Sequence, residues 1–300
     1  MSNMALNLSV FKTRSLTAVV FVVVMLAGLL WNPWSFFLLF TIIHFGCWTE
    51  YRKIIVRIDR EYASISALHR YSVPIAGWCL MLYCIRQDLS IAGLSLHFVG
   101  KWGCLAFLCL LVLGETVQFR TINGRNILHS MFGLLYISLP LAMLVWLRAI
   151  YYESPVPFSD RILVLMIIGS IWINDTMAYI VGSLIGKTSL SRISPKKTLE
   201  GTVGGIILAI GVMGLLGWGL RDEPAVALFP AADWMVVAAI ASITGTFGDL
   251  LESKLKRMAG VKDSGHFLPG HGGFLDRFDS LLIATPFAWA YLVWVAGVGS

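Results

Sequence analysis

Residues 248–280 read GDLLESKLKRMAGVKDSGHFLPGHGGFLDRFDS, and the rest of the chain is best understood outward from them. Only 13 % of the chain is charged, yet this stretch holds Asp249, Glu252, Lys254, Lys256, Arg257, Lys262, Asp263, Asp276, Arg277 and Asp279. Two histidines and six glycines are interleaved with them. An apolar span ends just before the stretch and another begins just after it. Isolated charges are expensive in hydrocarbon, so such a segment belongs at a membrane edge or in a wet cavity. Carboxylates hold metal ions, cations hold phosphates, and glycines let a backbone come close to a ligand. The local chemistry reads as a metal and a polyphosphate gathered at a bilayer surface.

The surrounding composition agrees. The 300 residues are 57 % hydrophobic, with a mean hydropathy of +0.78. A soluble domain is nearer roughly 45–50 % apolar and about 25 % charged. An all-α, polytopic integral membrane protein is therefore expected. Helices packed in one bilayer count as one unit, so residues 1–300 read as a single transmembrane domain. The net charge of +6 reports topology and attraction to anionic lipid, and no nucleic-acid partner is expected. The five cysteines form no CxxC pair and lie in or beside apolar spans, as small packing residues do. Lys12 and Arg14 precede the first apolar run, and no small-residue cleavage pattern follows it. That run is read as a retained span.

A membrane-crossing helix needs ~20 mostly apolar residues. Nine windows qualify, at 15–31, 33–48, 73–86, 98–114, 131–148, 161–182, 202–220, 233–248 and 280–298. The first two meet at Asn32-Pro33, which predicts a tight helical hairpin. With the N-terminus inside, 18 of the 23 basic residues fall in segments facing the cytoplasm and 5 outside, which favours a cytoplasmic N-terminus and an external C-terminus. The loop 49–72 is basic and mildly amphipathic; it either lies on an anionic leaflet or simply sets the orientation. There is no low-complexity linker and no internal repeat of the kind inverted-repeat transporters show.

Three clusters carry chemistry. The first is Asn174-Asp175-Thr176, in which Asp175 is a carboxylate inside an apolar span. The second is Ser194-Pro195-Lys196-Lys197-Thr198, where two lysines face the cytoplasm and Thr198 is placed to cap the next helix ahead of Glu200. Basic groups at a helix N-terminus make an anion site. Just before it, Gly182 to Thr188 imitates a phosphate-binding loop, but has three residues between its glycines instead of four and follows a membrane helix rather than a strand. The third is the 248–280 stretch itself. If the eighth span continues past the membrane surface as helix, Asp249, Ser253, Lys256 and Arg257 share one face. Gly260 to Gly273 then forms a loop, and Asp276 and Asp279 stand i,i+3 at the mouth of the ninth span.

Ser253-x-Leu255-Lys256-Arg257, followed by Lys262-Asp263-x-Gly265 and Leu268-Pro269-x-His271-Gly272-Gly273-Phe274-x-Asp276-Arg277-Phe278-Asp279, resembles the signature of phosphatidate cytidylyltransferases, also called CDP-diacylglycerol synthases. Asp175, Gly186-Lys187, Ser194-Pro195-x-Lys197-Thr198 and Gly248-Asp249 resemble further motifs of that family. The likeness covers residues 174–280, so 151–300 is expected to hold the catalytic helices, and 1–150 carries no matched motif. The resemblance implies CTP and phosphatidate as substrates, CDP-diacylglycerol and pyrophosphate as products, and Mg²⁺, alone or with a second cation, as cofactor. It implies Asp249 and Asp276 as metal ligands with Asp175 and Asp279 in support. Asp249, Asp276, Lys256 and Arg277 would carry the reaction. Ser194, Lys196, Lys197, Thr198, Ser253, Arg257, Lys262, His271, Gly272 and Gly273 would hold the substrates. It further implies a homodimer in a bacterial inner membrane, with the active site facing the cytoplasm. The rival readings are a CTP-dependent lipid kinase, a catalytically divergent paralogue, and a transporter, whose needs do not include so dense a polar cassette on one face.

Overall fold

The computed structural model describes residues 8–118, 123–151, 154–156, 158–265 and 272–298. Among them, ten α-helices follow one another: α1 (Leu8–Leu30), α2 (Pro33–Ile58), α3 (Ala67–Tyr83), α4 (Leu96–Gln118), α5 (Gly124–Gly133), α6 (Leu139–Ile150), α7 (Ser159–Ile185), α8 (Leu199–Gly219), α9 (Ala231–Met258) and α10 (Leu275–Trp294). A π turn over Leu134–Ser138 joins α5 to α6, so the two form one rod. Two short strands, β1 (Ser90–Ile91) and β2 (Leu94–Ser95), make an antiparallel hairpin between α3 and α4. Its turn residues Ala92 and Gly93 both have positive φ, as a tight hairpin demands.

Every apolar window read from the sequence falls on a helical rod. Five helices among the described residues are long and apolar enough to cross a membrane: α4, the α5–α6 rod, α7, α8 and α9. Large apolar side chains face outward on them and on α1, for example Val19, Val23, Leu105, Val112 and Ile207. So much outward-facing apolar surface belongs in lipid, and the chain is a helical membrane protein.

Local chemistry sets the breaks. Asn32 accepts from Ser35 N at 2.8 Å while Ser35 Oγ accepts from Asn32 N at 3.1 Å, a reciprocal cap with Pro33 at the first helical position. The expected hairpin between the first two spans follows from it. Thr198 caps α8 through its Oγ1, which accepts from Gly201 N at 3.1 Å. At the far end of the bundle, Arg148 and Arg161 donate to Leu29, Leu30 and Trp31 carbonyls and pair with Asp160, closing the C-terminus of α1.

Two features position the site. Helix α9 runs on to Met258, well past the apolar window ending at 248, so the polar face from Asp249 onward is helical. Helix α10 starts at Leu275, which puts Asp276 in its first turn and Asp279 one turn further along. The core beneath is apolar and closely filled, with Phe40, Tyr51, Leu144, Met166 and Leu282 almost wholly enclosed.

Candidate active site

The site begins where α9 crosses α10. A Cβ at Gly248 would run into the backbone carbonyl of Asp279, so only glycine lets these two helices approach so closely here. That approach sets Asp249 and Glu252, three residues apart on α9, against Asp279 on α10. One carboxylate oxygen from each lies within 4.8 Å of the others. Glu252 is fully enclosed and Asp279 nearly so.

Three carboxylates so close in a dry place repel strongly unless positive charge stands among them. Two lysines supply part of it. Lys197, from the loop before α8, pairs with Asp249. Lys256 Nζ lies 2.5 Å from Glu252 Oε2. Even so, Oε1 of Glu252 is buried with no hydrogen-bond partner among the described residues, and Oε2 meets only Lys256. An all-oxygen set of carboxylates, with one buried oxygen left without a partner, fits a hard divalent cation.

Asp276 has a different setting. Its Oδ1 accepts from Lys256 Nζ at 2.6 Å, and its Oδ2 accepts from Gly273 N at 2.8 Å and Ser264 N at 2.9 Å. Lys256 therefore bridges Glu252 to Asp276. The carboxylate is occupied in fastening the two ends of the glycine-rich loop to α10, and it stands outside the Asp249–Glu252–Asp279 group.

A residue from the N-terminal half completes this corner. Glu50, buried on α2, accepts from Phe274 N at 3.0 Å, Leu275 N at 2.9 Å and Ser264 Oγ at 2.6 Å. It caps α10 from another helix, placing negative charge at that helix's start. A Cβ at Gly273 would strike Glu50 itself. Sequence reasoning did not single out Glu50 or include Glu252 among the site residues. For Glu50 the available signal was a lone carboxylate at the membrane end of an apolar span; for Glu252 it was the i,i+3 spacing from Asp249.

On the other side a cleft of about 510 Å³ opens between α7 and the 186–198 loop, lined by Asp175, Tyr179, Lys196, Lys197, Thr198 and Thr246 among others. Asp175 also lines a smaller cavity, about 90 Å³, with Asp276, Arg277 and Asp279. It stands between the cleft and the carboxylate group, with Asn174 Nδ2 at 3.3 Å from its Oδ1. The loop is held by Glu200, which accepts from Lys187 N and Thr188 N at 3.1 Å, and by Lys197 N donating to Ser194 O at 3.1 Å.

The remaining expected residues are spread around this centre. Ser253 is buried on the α9 face. Lys196, Lys262 and Arg277 are exposed at the rim. Arg257, also exposed, donates to Val261 O at 3.4 Å. Gly272 has φ of +84°, a turn conformation glycine adopts without cost. His271 lies outside the described residues.

Carboxylates that call for a cation, lysines beside an open cleft, and a lipid-facing helical bundle are the features that metal-assisted phosphoryl or nucleotidyl transfer at a bilayer requires. The chain belongs to the cytidylyltransferase family, whose model matches residues 12–295, and it is accordingly a nucleotidyltransferase. It is similar to the phosphatidate cytidylyltransferase of Pseudomonas aeruginosa, with 32 % identity over 292 residues, 96 % of this chain and 99 % of that one. The enzyme of the same name from Staphylococcus epidermidis is 34 % identical over 231 residues, 76 % of this chain and 82 % of the relative. That of Thermotoga maritima is 41 % identical over 135 residues, 45 % of this chain and 50 % of the relative, so this chain matches about half of that relative's length.

Proposed function

We infer that the chain is a phosphatidate cytidylyltransferase of phospholipid biosynthesis, converting CTP and phosphatidate to CDP-diacylglycerol and pyrophosphate. The observation that carries the mechanism is the Asp249–Glu252–Asp279 group, paired with lysines, one of which, Lys197, also lines the neighbouring cleft. A phosphate oxygen of phosphatidate attacks the α-phosphorus of CTP. The bond from that phosphorus to the oxygen leading to the β-phosphate breaks, and pyrophosphate leaves with the bonding pair. The attacking phosphate is already ionised near neutral pH, so no strong base is required. Both reactants are anionic, and the barrier is dominated by charge neutralisation and alignment.

The residues divide the work accordingly. Asp249, Glu252 and Asp279 would hold Mg²⁺, with Asp175 alongside. When bound, the ion supplies positive charge to the phosphate oxygens at the reacting centre. Lys196, Lys197 and Arg277 hold the phosphates of the nucleotide and of pyrophosphate, Lys197 standing between the carboxylates and the cleft. Lys256 and Asp276 fix α9, α10 and the loop in register. Ser194, Thr198 and Ser253 would also contact the substrates, and Arg257, Lys262, His271, Gly272 and Gly273 would complete the substrate-binding set.

The bilayer arrangement follows from the basic residues. All nine helical rods span, with the N-terminus cytoplasmic and the C-terminus external, in a bacterial inner membrane. The polar ends of α9 and α10 then face the cytoplasm, where CTP is. The whole chain forms one transmembrane domain, working as a homodimer. The test is product analysis. Purified protein in neutral mixed micelles with Mg²⁺, phosphatidate and CTP labelled in the cytosine ring should place the label in the lipid and release pyrophosphate. Release of labelled CDP with an unlabelled lipid product would identify a lipid kinase instead.

A further inference from the structure

The basic loop after α2 has a cavity of its own. It lies between α2, the 3-10 turn at Arg60–Ser64 and α3, with a volume of about 160 Å³, and both Arg52 and Arg70 line it. Arg52 comes two residues after Glu50, roughly 200° round the helix, so this cavity lies on the side of α2 away from the α10 corner. The Nε atoms of Arg52 and Arg70 are buried and have no hydrogen-bond partner among the described residues. No described carboxylate pairs with either guanidinium. The three nearby in sequence are committed elsewhere: Glu50 to the start of α10, Asp59 to His129, and Glu61 to Asn123.

A buried guanidinium N–H without a partner is costly, and an anion is what removes the cost. The planar fork of arginine matches phosphate oxygens in pairs. The cavity also has an apolar side, formed by Phe45, Trp48, Val73 and Ile75. Phe45 and Tyr71 are exposed on the outer surface of the bundle, so the cavity reaches the lipid-facing side. A phosphate held by two arginines, with an apolar stem leaving along Phe45, is the outline of an anionic lipid and not of a soluble phosphate.

We propose that Arg52 and Arg70 form a second phosphate site, distinct from the reaction centre, that binds the headgroup of an anionic phospholipid. By the orientation above it lies in the cytoplasmic leaflet, where anionic headgroups meet basic segments. Its occupant ties α3 to α2, and α2 carries Glu50, the anchor of α10. Lipid bound here therefore steadies the catalytic corner from behind.

The probe is dioleoyl phosphatidylglycerol, whose phosphodiester lacks the phosphomonoester nucleophile of the reaction and so is not a substrate. Full-length protein in a neutral detergent is melted across a titration of this lipid, of phosphatidylcholine, and of pyrophosphate at equal phosphorus. Phosphatidylglycerol should stabilise wild type and phosphatidylcholine should not; any shift from pyrophosphate, held at the reaction centre, should be the same in wild type and in both arginine pairs. The Arg52→Gln/Arg70→Gln pair should need about tenfold or more of the lipid for the same shift, the loss expected from charge-assisted contacts. Arg52→Lys/Arg70→Lys, which keeps both charges and guards against misfolding of the first pair, should also bind more weakly because it lacks the fork. Glu252→Gln should respond like wild type, which separates this site from the reaction centre. An unchanged response in both arginine pairs, or an equal response to phosphatidylcholine, would overturn the site. A response to pyrophosphate that both arginine pairs weaken would keep the phosphate contact and overturn its assignment to lipid.

Discussion

Asp249 and Asp279 were legible as residues because an isolated carboxylate at the edge of an apolar span has few structural uses. Glu252 was less so. It sits in the run ESKLKR, where charge is dense enough to look like a solvated surface, and only the buried helix face sets it beside Asp249 and Asp279. Asp276 and Asp279 look equivalent in sequence, yet one faces Lys256 and two backbone N–H groups while the other faces α9. The direction of a side chain around a helix start depends on where the partner helix lies, which local spacing does not contain. At this scale the lysines give a direct prediction. Lys197→Ala should lower turnover roughly ten- to a hundredfold, the loss of about 1.5–3 kcal/mol of charge-assisted contact. Arg277→Lys should fall short of wild type, because a point charge does not replace a fork. Steady-state kinetics of both variants check this; wild-type turnover in Lys197→Ala would leave that lysine with a role in orientation only.

Elements were legible where a cap or a window marked them. The Asn32–Ser35 cap and the Thr198 cap are short-range chemistry, and both helices start where those residues indicate. The π turn at Leu134–Ser138 has no comparable mark; its Ser138 Oγ accepts from Trp48 Nε1 at 2.9 Å, a contact between residues 90 positions apart. The cap of α10 is equally remote, coming from Glu50. Glu50→Ala would strip the acceptor from two backbone N–H groups and a hydroxyl, at a cost of about 1–3 kcal/mol. A lower melting temperature and a raised KM for CTP are expected, with Glu50→Gln recovering part of both because its amide oxygen still accepts. Melting and KM both at wild-type values in Glu50→Ala would remove the anchor.

The other end of α2 gives a pH prediction. Partial burial raises the Asp59 carboxyl, but the Glu61 N–H, His129 and Arg125 outweigh it and hold it below its ordinary value. A carboxylate lowered on folding stabilises the protein above its unfolded pKa and loses that contribution as pH falls through the folded value. Asp59→Asn should therefore melt below wild type at neutral pH; the gap should begin to close as pH falls below about 4 and vanish below the lowered folded value. A gap that does not narrow as pH falls below about 4 would assign the effect of the substitution to something other than charge.

The membrane class was open to the sequence because composition carries it: 57 % apolar and 13 % charged residues lie well outside the balance typical of soluble domains. Orientation rests on the charge asymmetry, and it predicts that tags placed after residues 60 and 190 report from the cytoplasm while a C-terminal tag reports from outside. A cytoplasmic C-terminal tag would remove one span. What the sequence could not give was the involvement of residues 1–150 in the site, since α2 reaches α10 only in three dimensions. The central claim is that the α9–α10 carboxylates form the cation site at which cytidylyl transfer occurs. The most direct test is CDP-diacylglycerol formation by wild type, Asp249→Asn, Glu252→Gln and Asp276→Asn across a Mg²⁺ titration, with melting as the control for folding. The first two substitutions should abolish turnover at every Mg²⁺ concentration in protein that still melts cooperatively. Asp276→Asn should lower turnover together with thermal stability, because it loosens the loop. Near-normal turnover of Glu252→Gln at ordinary Mg²⁺ would contradict the account.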